Sequence, residues 1–384
     1  MTTTTAKRTA TAPIPAEWRL PAAYRRLPAD EIDARIAAAK RALGSRLVIL
    51  GHHYQRDDVV KHANFQGDSF KLSRLAASRR DAEFIVFCGV HFMAESADIL
   101  SAENQVAILP NMAAGCSMAD MADAADVNDC WSALTEVLGG ESGPDGRLPV
   151  LPVTYVNSAA SLKAFCGRSG GAVCTSSNAR GVVDWALGRA ERVLFFPDQH
   201  LGRNTALGLG FAPDDVVVWD PLVASGGLTA EQIRRARFIA WRGCCSLHMR
   251  FSVEQIAAAR AAHPDVRVVV HPECKREVVA AADDAGSTEH ICRVVREAPA
   301  GTKWAVGTEV NLVRRLAAEM PEKTIWCLDP VYHPCPTMHL IRPAYLLWVL
   351  EALVAGRVVN RVKVDPETAG AARVALDRML AIAG

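Results

Sequence analysis

The sequence predicts an α/β protein made of three similar units arranged around a common axis. Ten short apolar runs alternate with alanine-rich stretches of helical periodicity, which is typical of parallel sheets covered by helices. Polar residues that follow strands recur in the same order in three parts of the chain. Because ligands collect at the carboxyl ends of parallel strands, the residues just after each strand are the first candidates for function.

The predicted strands are short, continuous apolar runs, as expected where helices cover both faces of a sheet. Helical patterns lie between many of them, for example over residues 29–43 and 252–262. This alternation favours parallel sheets, whose strands are joined by helical crossovers. In chain order, the ten strands cover residues 46–50, 83–87, 106–109, 151–156, 192–196, 215–219, 237–241, 266–270, 303–306 and 324–328.

The internal repeat consists of a polar residue at a strand end, a hydroxyl-rich turn that opens a helix, and a cysteine after a later strand. In the first and third copies the strand end is 17 residues before the hydroxyl residue, which is 47 residues before the cysteine. The middle copy is 26 residues longer, and we expect insertions there, partly at 166–171. The equal spacings favour a repeat over a coincidence among short α/β segments. The three sets are His52, Ser69 and Cys116; Tyr155, Ser176 and Cys245; and His271, Thr288 and Cys335.

The repeat also divides the chain into units. A segment rich in glycine and proline at 139–149 indicates a surface connection between the first two units. We expect a disordered tail over 1–28, α/β units over 29–113, 114–243 and 244–337, and C-terminal helices over 338–384 that pack on the core.

Composition excludes several classes of protein. Half of the 384 residues are hydrophobic, so a large core can form and wholesale disorder is excluded. The 43 basic and 42 acidic side chains leave a net charge of +1, which argues against binding of nucleic acid or a membrane surface as the main function. The longest apolar stretch, 344–356, is too short to cross a membrane and contains Glu351. With no hydrophobic signal core at the N-terminus, we expect a cytoplasmic protein.

The eleven cysteines contain no C-x-x-C pair, which excludes a zinc ribbon and a local ferredoxin-type motif. A metal site must therefore be assembled from distant parts of the chain. Cys116, Cys245 and Cys335 stand beside glycine or proline and are the candidate ligands, although a free cysteine is commonly a small buried hydrophobe. Three thiolates on an iron–sulfur cube would leave one iron free to act as a Lewis acid.

The hydroxyl turns and strand ends suggest the chemistry of the ligand. Each turn opens a helix, where free backbone N–H groups and the positive end of the helix dipole attract carboxylates and phosphate; ordinary N-capping is the alternative explanation. His52, Tyr155, His271 and Glu273 are candidate proton carriers, although a single histidine can be purely structural. A bound dianion should disfavour ionisation of Glu273 and so make it a base near neutral pH.

At these residues the chain resembles the quinolinate synthase (NadA-type) family. The resemblance covers residues 30–356, and the order and spacing of its motifs make it specific. The motifs are GHHY at 51–54, GDS at 67–69, NMAAGCSMAD at 111–120, TYVNSAASLKA at 154–164, CTSSNA at 174–179, WRGCCSLH at 241–248, HPEC at 271–274, AGSTEH at 285–290, VGTE at 306–309 and CPTM at 335–338.

The resemblance implies three αβα sandwich domains with parallel sheets in a pseudo-threefold arrangement around a central active site. It implies one [4Fe-4S] cluster and condensation of iminosuccinate (iminoaspartate) with dihydroxyacetone phosphate to quinolinate, phosphate and water in NAD biosynthesis, a transferase reaction. It also implies functional coupling to the oxidase that supplies iminosuccinate. Carried over by motif, the cluster ligands are Cys116, Cys245 and Cys335, and the substrate contacts are His52, Ser69, Tyr155, Asn157, Ser176, His271, Glu273 and Thr288.

Among these residues Glu273 is the expected principal base, and Tyr155, His271 and His52 are expected to assist proton transfer. Cys245 is chosen over the adjacent Cys244 because the family pattern G-x-C-x-x-H ends here at His248. Two alternatives stay open. One is an iron–sulfur enzyme of the diphthamide-synthesis type, and the other is a non-catalytic iron–sulfur sensor or carrier.

Overall fold

A computed structural model describes residues 15–143 and 145–382 and has the predicted fold class. Three separate sheets of parallel strands, each with helices packed against it, follow one another along the chain. All ten predicted strands are present. Residues 1–14 of the expected disordered tail lie outside the described residues. The segment from Ala16 to Tyr24 carries two short 3-10 helices where the sequence predicted a disordered tail, because Tyr24 donates a hydrogen bond to Glu351 of a C-terminal helix.

The first unit is built on strand β1, which is buried along its whole length. Its sheet has the order β14-β4-β3-β1-β2, in which only the short C-terminal strand β14 is antiparallel. The elements are α1 (Ala29–Leu43), β1 (Leu47–His52), α2 (Asp57–Val60), β2 (Phe65–Gly67), α3 (Ser69–Ser78), β3 (Phe84–Cys88), α4 (His91–Leu100), β4 (Val106–Ile108) and the connecting helix α5 (Ala124–Leu138).

The second unit has a parallel sheet of order β6-β5-β7-β9-β8. Its strands are rich in valine and phenylalanine and are almost wholly buried, as expected between two helical layers. The elements are β5 (Leu151–Tyr155), α6 (Ala160–Arg168), β6 (Ala172–Cys174), α7 (Ala179–Leu187), β7 (Val193–Phe196), α8 (Gln199–Gly208), β8 (Val216–Trp219), α9 (Ala230–Arg235) and β9 (Phe238–Trp241).

The third unit has a four-stranded parallel sheet of order β11-β10-β12-β13. The same strand order, β2-β1-β3-β4, occurs in the first unit, so the equal spacings in the sequence correspond to equal topology. The elements are α10 (Val253–Ala262), β10 (Arg267–Val270), α11 (Arg276–Ala281), β11 (Asp284–Ala285), α12 (Thr288–Glu297), β12 (Lys303–Gly307), α13 (Val310–Glu319) and β13 (Thr324–Cys327).

The middle unit differs from the other two by an additional strand and helix, β8 and α9. Of its 26 extra residues, four lie between Tyr155 and Ser176, the part that contains 166–171, and 22 lie between Ser176 and Cys245. Most of the insertion is therefore an added βα element at the sheet edge. Four strands of two or three residues, β2, β6, β11 and β14, are absent from the sequence prediction because runs this short have no recognisable period.

The C-terminal elements are α14 (Pro343–Val354), β14 (Arg361–Val362) and α15 (Pro366–Ala381). Helix α14 packs on α1, where Arg35 makes two hydrogen bonds of 2.8 and 2.7 Å to the carboxylate of Glu351. Helix α15 packs on α6 of the second unit. Within the described ranges, no helix has the length and apolar character needed to cross a membrane.

The contact between α6 and α15 depends on a glycine. A Cβ atom on Gly167 would lie 1.9 Å from the carbonyl oxygen of Ala371, so the two helices can approach this closely only without a side chain there. We predict that Gly167→Ala lowers the free energy of unfolding by about 1–3 kcal/mol, the usual cost of overpacking. Denaturant unfolding measures the change. Gly370→Ala in α15 is the control, because no atom lies within 4 Å of its added Cβ. Equal effects of the two substitutions would contradict this account of the contact.

Candidate functional site

One cavity lies where the carboxyl ends of the three sheets meet. Its lining includes side chains from all three units and from the loops that carry the cysteines. The structure brings together every residue that the sequence selected for the site. These residues are His52, Ser69, Cys116, Tyr155, Asn157, Ser176, Cys245, His271, Glu273, Thr288 and Cys335. The lining contains no lysine or arginine among the described residues.

The three cysteines have equivalent places in the fold. Cys116 follows β4, Cys245 follows β9 and Cys335 follows β13, and all three face the cavity. Burial, with a smaller contribution from the neighbouring Cys335, raises the pKa of Cys116 to about 12. Burial likewise raises the pKa of Cys245 well above its usual range. Three adjacent thiols of this kind become thiolates only with a cationic partner, which is the chemistry of a metal centre.

The separation of the sulfurs indicates the kind of centre they fit. Among the described residues, the one group of three potential ligand atoms within 4.8 Å of one another is Cys245, His248 and Glu273. The sulfurs of the three cysteines therefore do not all lie within that distance. A single tetrahedral ion with metal–sulfur bonds of about 2.3 Å would require sulfurs less than about 4 Å apart. The three sulfurs together therefore do not form the ligand set of a single tetrahedral ion.

The structure also separates the two adjacent cysteines. Cys245 lines the cavity, whereas Cys244 is absent from its lining and its backbone N–H points to the sulfur of Met121. The choice of Cys245 as the candidate ligand therefore agrees with the geometry.

A chain of polar groups runs through the cavity wall around Glu273. Nδ1 of His248 lies 2.7 Å from Oε2 of Glu273, and Nε2 of His248 lies 3.3 Å from the hydroxyl of Thr308. The Thr308 hydroxyl is 2.7 Å from that of Tyr54. On its other side Glu273 accepts a hydrogen bond from Tyr155. The arrangement places one carboxylate, one imidazole and one threonine hydroxyl between two tyrosine hydroxyls.

Burial and neighbouring groups determine the ionisation of these residues. Burial lowers the pKa of His52 and of His271 to about 3, so both imidazoles are neutral at neutral pH. Burial alone would raise the pKa of Glu273, but His271, His248 and Tyr155 together lower it to about 2. Its neighbours therefore favour the ionised form of Glu273.

The hydroxyl residues of the first and third turns, Ser69 and Thr288, are free of the capping role that was the alternative explanation. The side chain of Asp68, rather than Ser69, accepts the N–H of Lys71 at the start of α3. In the same way Ser287, rather than Thr288, caps α12. Because the preceding residue caps each of these helices, the hydroxyls of Ser69 and Thr288 are available to a ligand in the cavity.

Polar contacts also join the three units around the cavity. Each pair of units is linked by at least one side-chain contact next to a hydroxyl turn. The three contacts are Ser177 Oγ to Asp68 Oδ2, His53 Nε2 to Glu289 Oε1 at 3.0 Å, and His271 Nε2 to Ser176 Oγ at 3.2 Å.

Sequence reasoning did not single out five residues that the structure places at the site. Tyr54 and Asp68 line the cavity, and both stand inside motifs that were recognised, GHHY and GDS. His53, His248 and Glu289 belong to the polar contacts behind the lining. Their positions next to strand ends and hydroxyl turns were the available signal, but their partners are distant in sequence.

Comparisons with known proteins agree with this geometry. A family model described as "Quinolinate synthetase A protein" matches residues 34–381. The chain is 55% identical over 374 residues to a quinolinate synthase of Corynebacterium glutamicum, covering 96% of this chain and 93% of the relative. It is 55% identical to one of a Nocardioides species, covering 91% and 89%, and 54% identical to one of Streptomyces coelicolor, covering 92% and 89%.

The contact between His53 of the first unit and Glu289 of the third unit should depend on pH. Burial by itself would raise the pKa of Glu289. Contacts with His53 and Lys71 outweigh burial and lower this pKa from 4.5 to about 2. Because the folded-state pKa is the lower one, the contact stabilises the protein above pH 4.5 and is lost as the pH falls towards 2. We predict that Glu289→Gln costs at most about 1 kcal/mol at pH 7, since Glu289 is partly exposed.

Melting temperatures of wild type and Glu289→Gln, measured from pH 7 to pH 3, check this prediction, and the gap between them should shrink as the pH falls. Glu297→Gln, an exposed position on the same helix, is the control and should leave the melting temperature unchanged. A gap that stays constant down to pH 3 would count against the assignment.

Proposed function

Because the chain belongs to the quinolinate synthetase A family, we propose that it condenses iminosuccinate (iminoaspartate) with dihydroxyacetone phosphate to give quinolinate, phosphate and water. The reaction would make it a transferase of de novo NAD biosynthesis, coupled functionally to the oxidase that supplies iminosuccinate. The observation that carries the proposal is the convergence of three cysteines and the polar ends of three sheets on one cavity.

The proposed cofactor is a [4Fe-4S] cluster with Cys116, Cys245 and Cys335 as its protein ligands. When bound, it would supply an iron without a protein ligand, which acts as a Lewis acid towards a substrate oxygen or nitrogen. The chain would contribute three thiolates from three different units. Their burial would keep water away from the reacting atoms.

The substrates carry carboxylates and a phosphate, yet no lysine or arginine among the described residues lines the cavity. We propose that hydroxyl groups and helix N-termini bind these anions instead, through Ser69, Ser176 and Thr288. Asn157 would also contact substrate. Its side-chain oxygen is buried without a hydrogen-bond partner, which supports a role in accepting an N–H or O–H of a bound molecule.

Proton transfer is assigned to Glu273 as the principal base, with Tyr155, His271 and His52 as further proton carriers. Glu273 is ionised in this structure and so can accept a proton. A dianionic substrate beside it would raise its pKa and thereby its basicity near neutral pH. The neutral imidazoles of His52 and His271 can donate or accept a hydrogen bond without adding charge.

One assay distinguishes the proposed function from the two alternatives, an enzyme of the diphthamide-synthesis type and a non-catalytic iron–sulfur sensor or carrier. An enzyme of the diphthamide-synthesis type would modify a protein, and a sensor or carrier would need no converging acid–base groups. Anaerobic assay of the reconstituted protein for quinolinate distinguishes them. Quinolinate formed from iminosuccinate and dihydroxyacetone phosphate is the expected result, and an intact cluster without product would overturn the proposal.

The assignment of Glu273 as base predicts the behaviour of Glu273→Gln. Turnover should fall by about 10²–10⁴-fold, the usual contribution of a general base, while iron content and the absorption spectrum stay as in wild type. Anaerobic turnover and iron counting on the same preparation measure both quantities. Glu277→Gln, at an exposed position on α11, is the control and should keep full activity. Wild-type turnover of Glu273→Gln would remove the base assignment.

The ligand assignment predicts a difference between two adjacent residues. Cys245→Ser should lose most of the bound iron and the cluster absorption, because serine is a poor replacement for a thiolate ligand. Cys244→Ser should retain both, because Cys244 does not line the cavity. Iron counting and anaerobic absorption spectra check this prediction. Equal iron loss in both variants, or loss only in Cys244→Ser, would contradict it.

A further inference from the structure

Two buried carboxylates occupy equivalent places in the second and third units. Asp198 follows β7 and Glu309 follows β12, and the side chains of both are completely inaccessible to solvent. Each caps the next helix. Oδ1 of Asp198 accepts the N–H groups of His200 and Leu201 at 2.8 and 2.7 Å, at the start of α8.

Glu309 caps α13 in the same way and makes two contacts more. Its Oε2 accepts the N–H groups of Asn311 and Leu312 at 2.7 and 3.2 Å. Its other oxygen, Oε1, accepts the side-chain N–H of Asn311 at 2.9 Å and the backbone N–H of Cys335 at 3.2 Å. The loop that carries Cys335 has no regular secondary structure from 328 to 335, so its backbone amides need partners from elsewhere.

Asp198 has a corresponding relation to Cys245. Its second oxygen, Oδ2, is buried and has no close hydrogen-bond partner, and the backbone N–H of Cys245 faces the same carboxyl group. In the first unit a backbone contact stands at the equivalent place, because the N–H of His91 donates to Ala114 O at 2.8 Å, two residues before Cys116. In every unit, therefore, the turn after the third strand contacts the cysteine loop.

We infer that Asp198 and Glu309 are positioning residues that orient Cys245 and Cys335 towards the shared cavity. Glu309 does so by accepting the backbone N–H of Cys335, and Asp198 does so through the backbone N–H of Cys245 that faces its carboxyl group. The inference rests on the proposed function, since it gives these residues a role towards the cluster. A carboxyl group that holds a helix N-terminus with one oxygen and a cysteine amide with the other fixes the loop relative to the sheet. The direction of the Cβ–Sγ bond then follows from the fixed backbone.

Ordinary helix capping does not account for this arrangement. Asp365 caps α15 through one hydrogen bond of 2.9 Å to Thr368 and is exposed, as is usual for such residues. Burying a carboxyl group completely is costly unless its oxygens are bound. Asp198 and Glu309 are nevertheless completely buried. Each has a second carboxyl oxygen, beyond the one that caps the helix, on the side of a cysteine loop.

Glu309→Asp separates the two roles. Aspartate is a good N-cap residue, so the start of α13 should stay protected, but the side chain is one methylene too short to reach Cys335. Hydrogen–deuterium exchange of the apo protein should become about tenfold faster over 329–338, equivalent to about 1.4 kcal/mol, and stay unchanged over 243–248. After reconstitution, iron should be released to a chelator faster than from wild type.

A second variant, Asp198→Ala, and a control, Asp365→Ala, test whether each carboxyl group affects exchange only in its own cysteine loop. Asp198→Ala should accelerate exchange at 243–248 and not at 329–338, and Asp365→Ala should affect neither segment. If exchange in Glu309→Asp and Asp198→Ala stays as in wild type over both cysteine loops, the inference is wrong while the proposed function stands. If wild type itself binds no iron, the proposed function fails independently of the exchange result.

Discussion

The polarity of parallel strands is the constraint on which the rest of this molecule depends. In a parallel sheet all carboxyl ends lie at one edge, and the three sheets turn this edge towards a common cavity. Residues far apart in the chain, such as His52 and His271, therefore line the same space although 219 positions separate them. The strands themselves are almost entirely apolar and buried, so each polar strand end is held by a rigid layer beneath it.

Burial in turn determines the chemistry that this cavity can perform. The described residues of the lining include three hydroxyl turns and no lysine or arginine, and burial lowers the pKa of His52 and of His271 so that both imidazoles are neutral at neutral pH. Among the described residues of the wall, two carboxyl groups differ in the direction of their pKa shift. His271, His248 and Tyr155 lower the pKa of Glu273, whereas burial raises the pKa of Asp68. Buried thiols would stay protonated without a metal. These properties are those that the proposed anionic substrates and metal cluster would require of the cavity.

Polar contacts between the three units lie at the cavity rim, and the first and second units also share one hydrophobic core. His53 contacts Glu289 across one boundary, and His271 contacts Ser176 across another. Behind the lining, the carboxyl groups of Asp198 and Glu309 each cap a helix N-terminus and lie beside the backbone N–H of a cysteine. The geometry of each cysteine loop therefore depends on a carboxyl group that is distant in sequence. Substitutions outside the cavity lining are for this reason expected to change the geometry of the lining.

The amino-acid sequence was enough to predict the fold class, the ten principal strands, the threefold repeat and eleven of the residues that line the cavity, because apolar runs and repeated spacings can be recognised along a chain. The family pattern that ends at His248 also favoured Cys245 over Cys244. Four of the five shortest strands, the extra βα element in the middle unit, the ionisation of Glu273 and the partners of Tyr54 and Glu289 became known only from the folded structure. These features depend on burial and on contacts between residues far apart in the chain, and no local pattern encodes them.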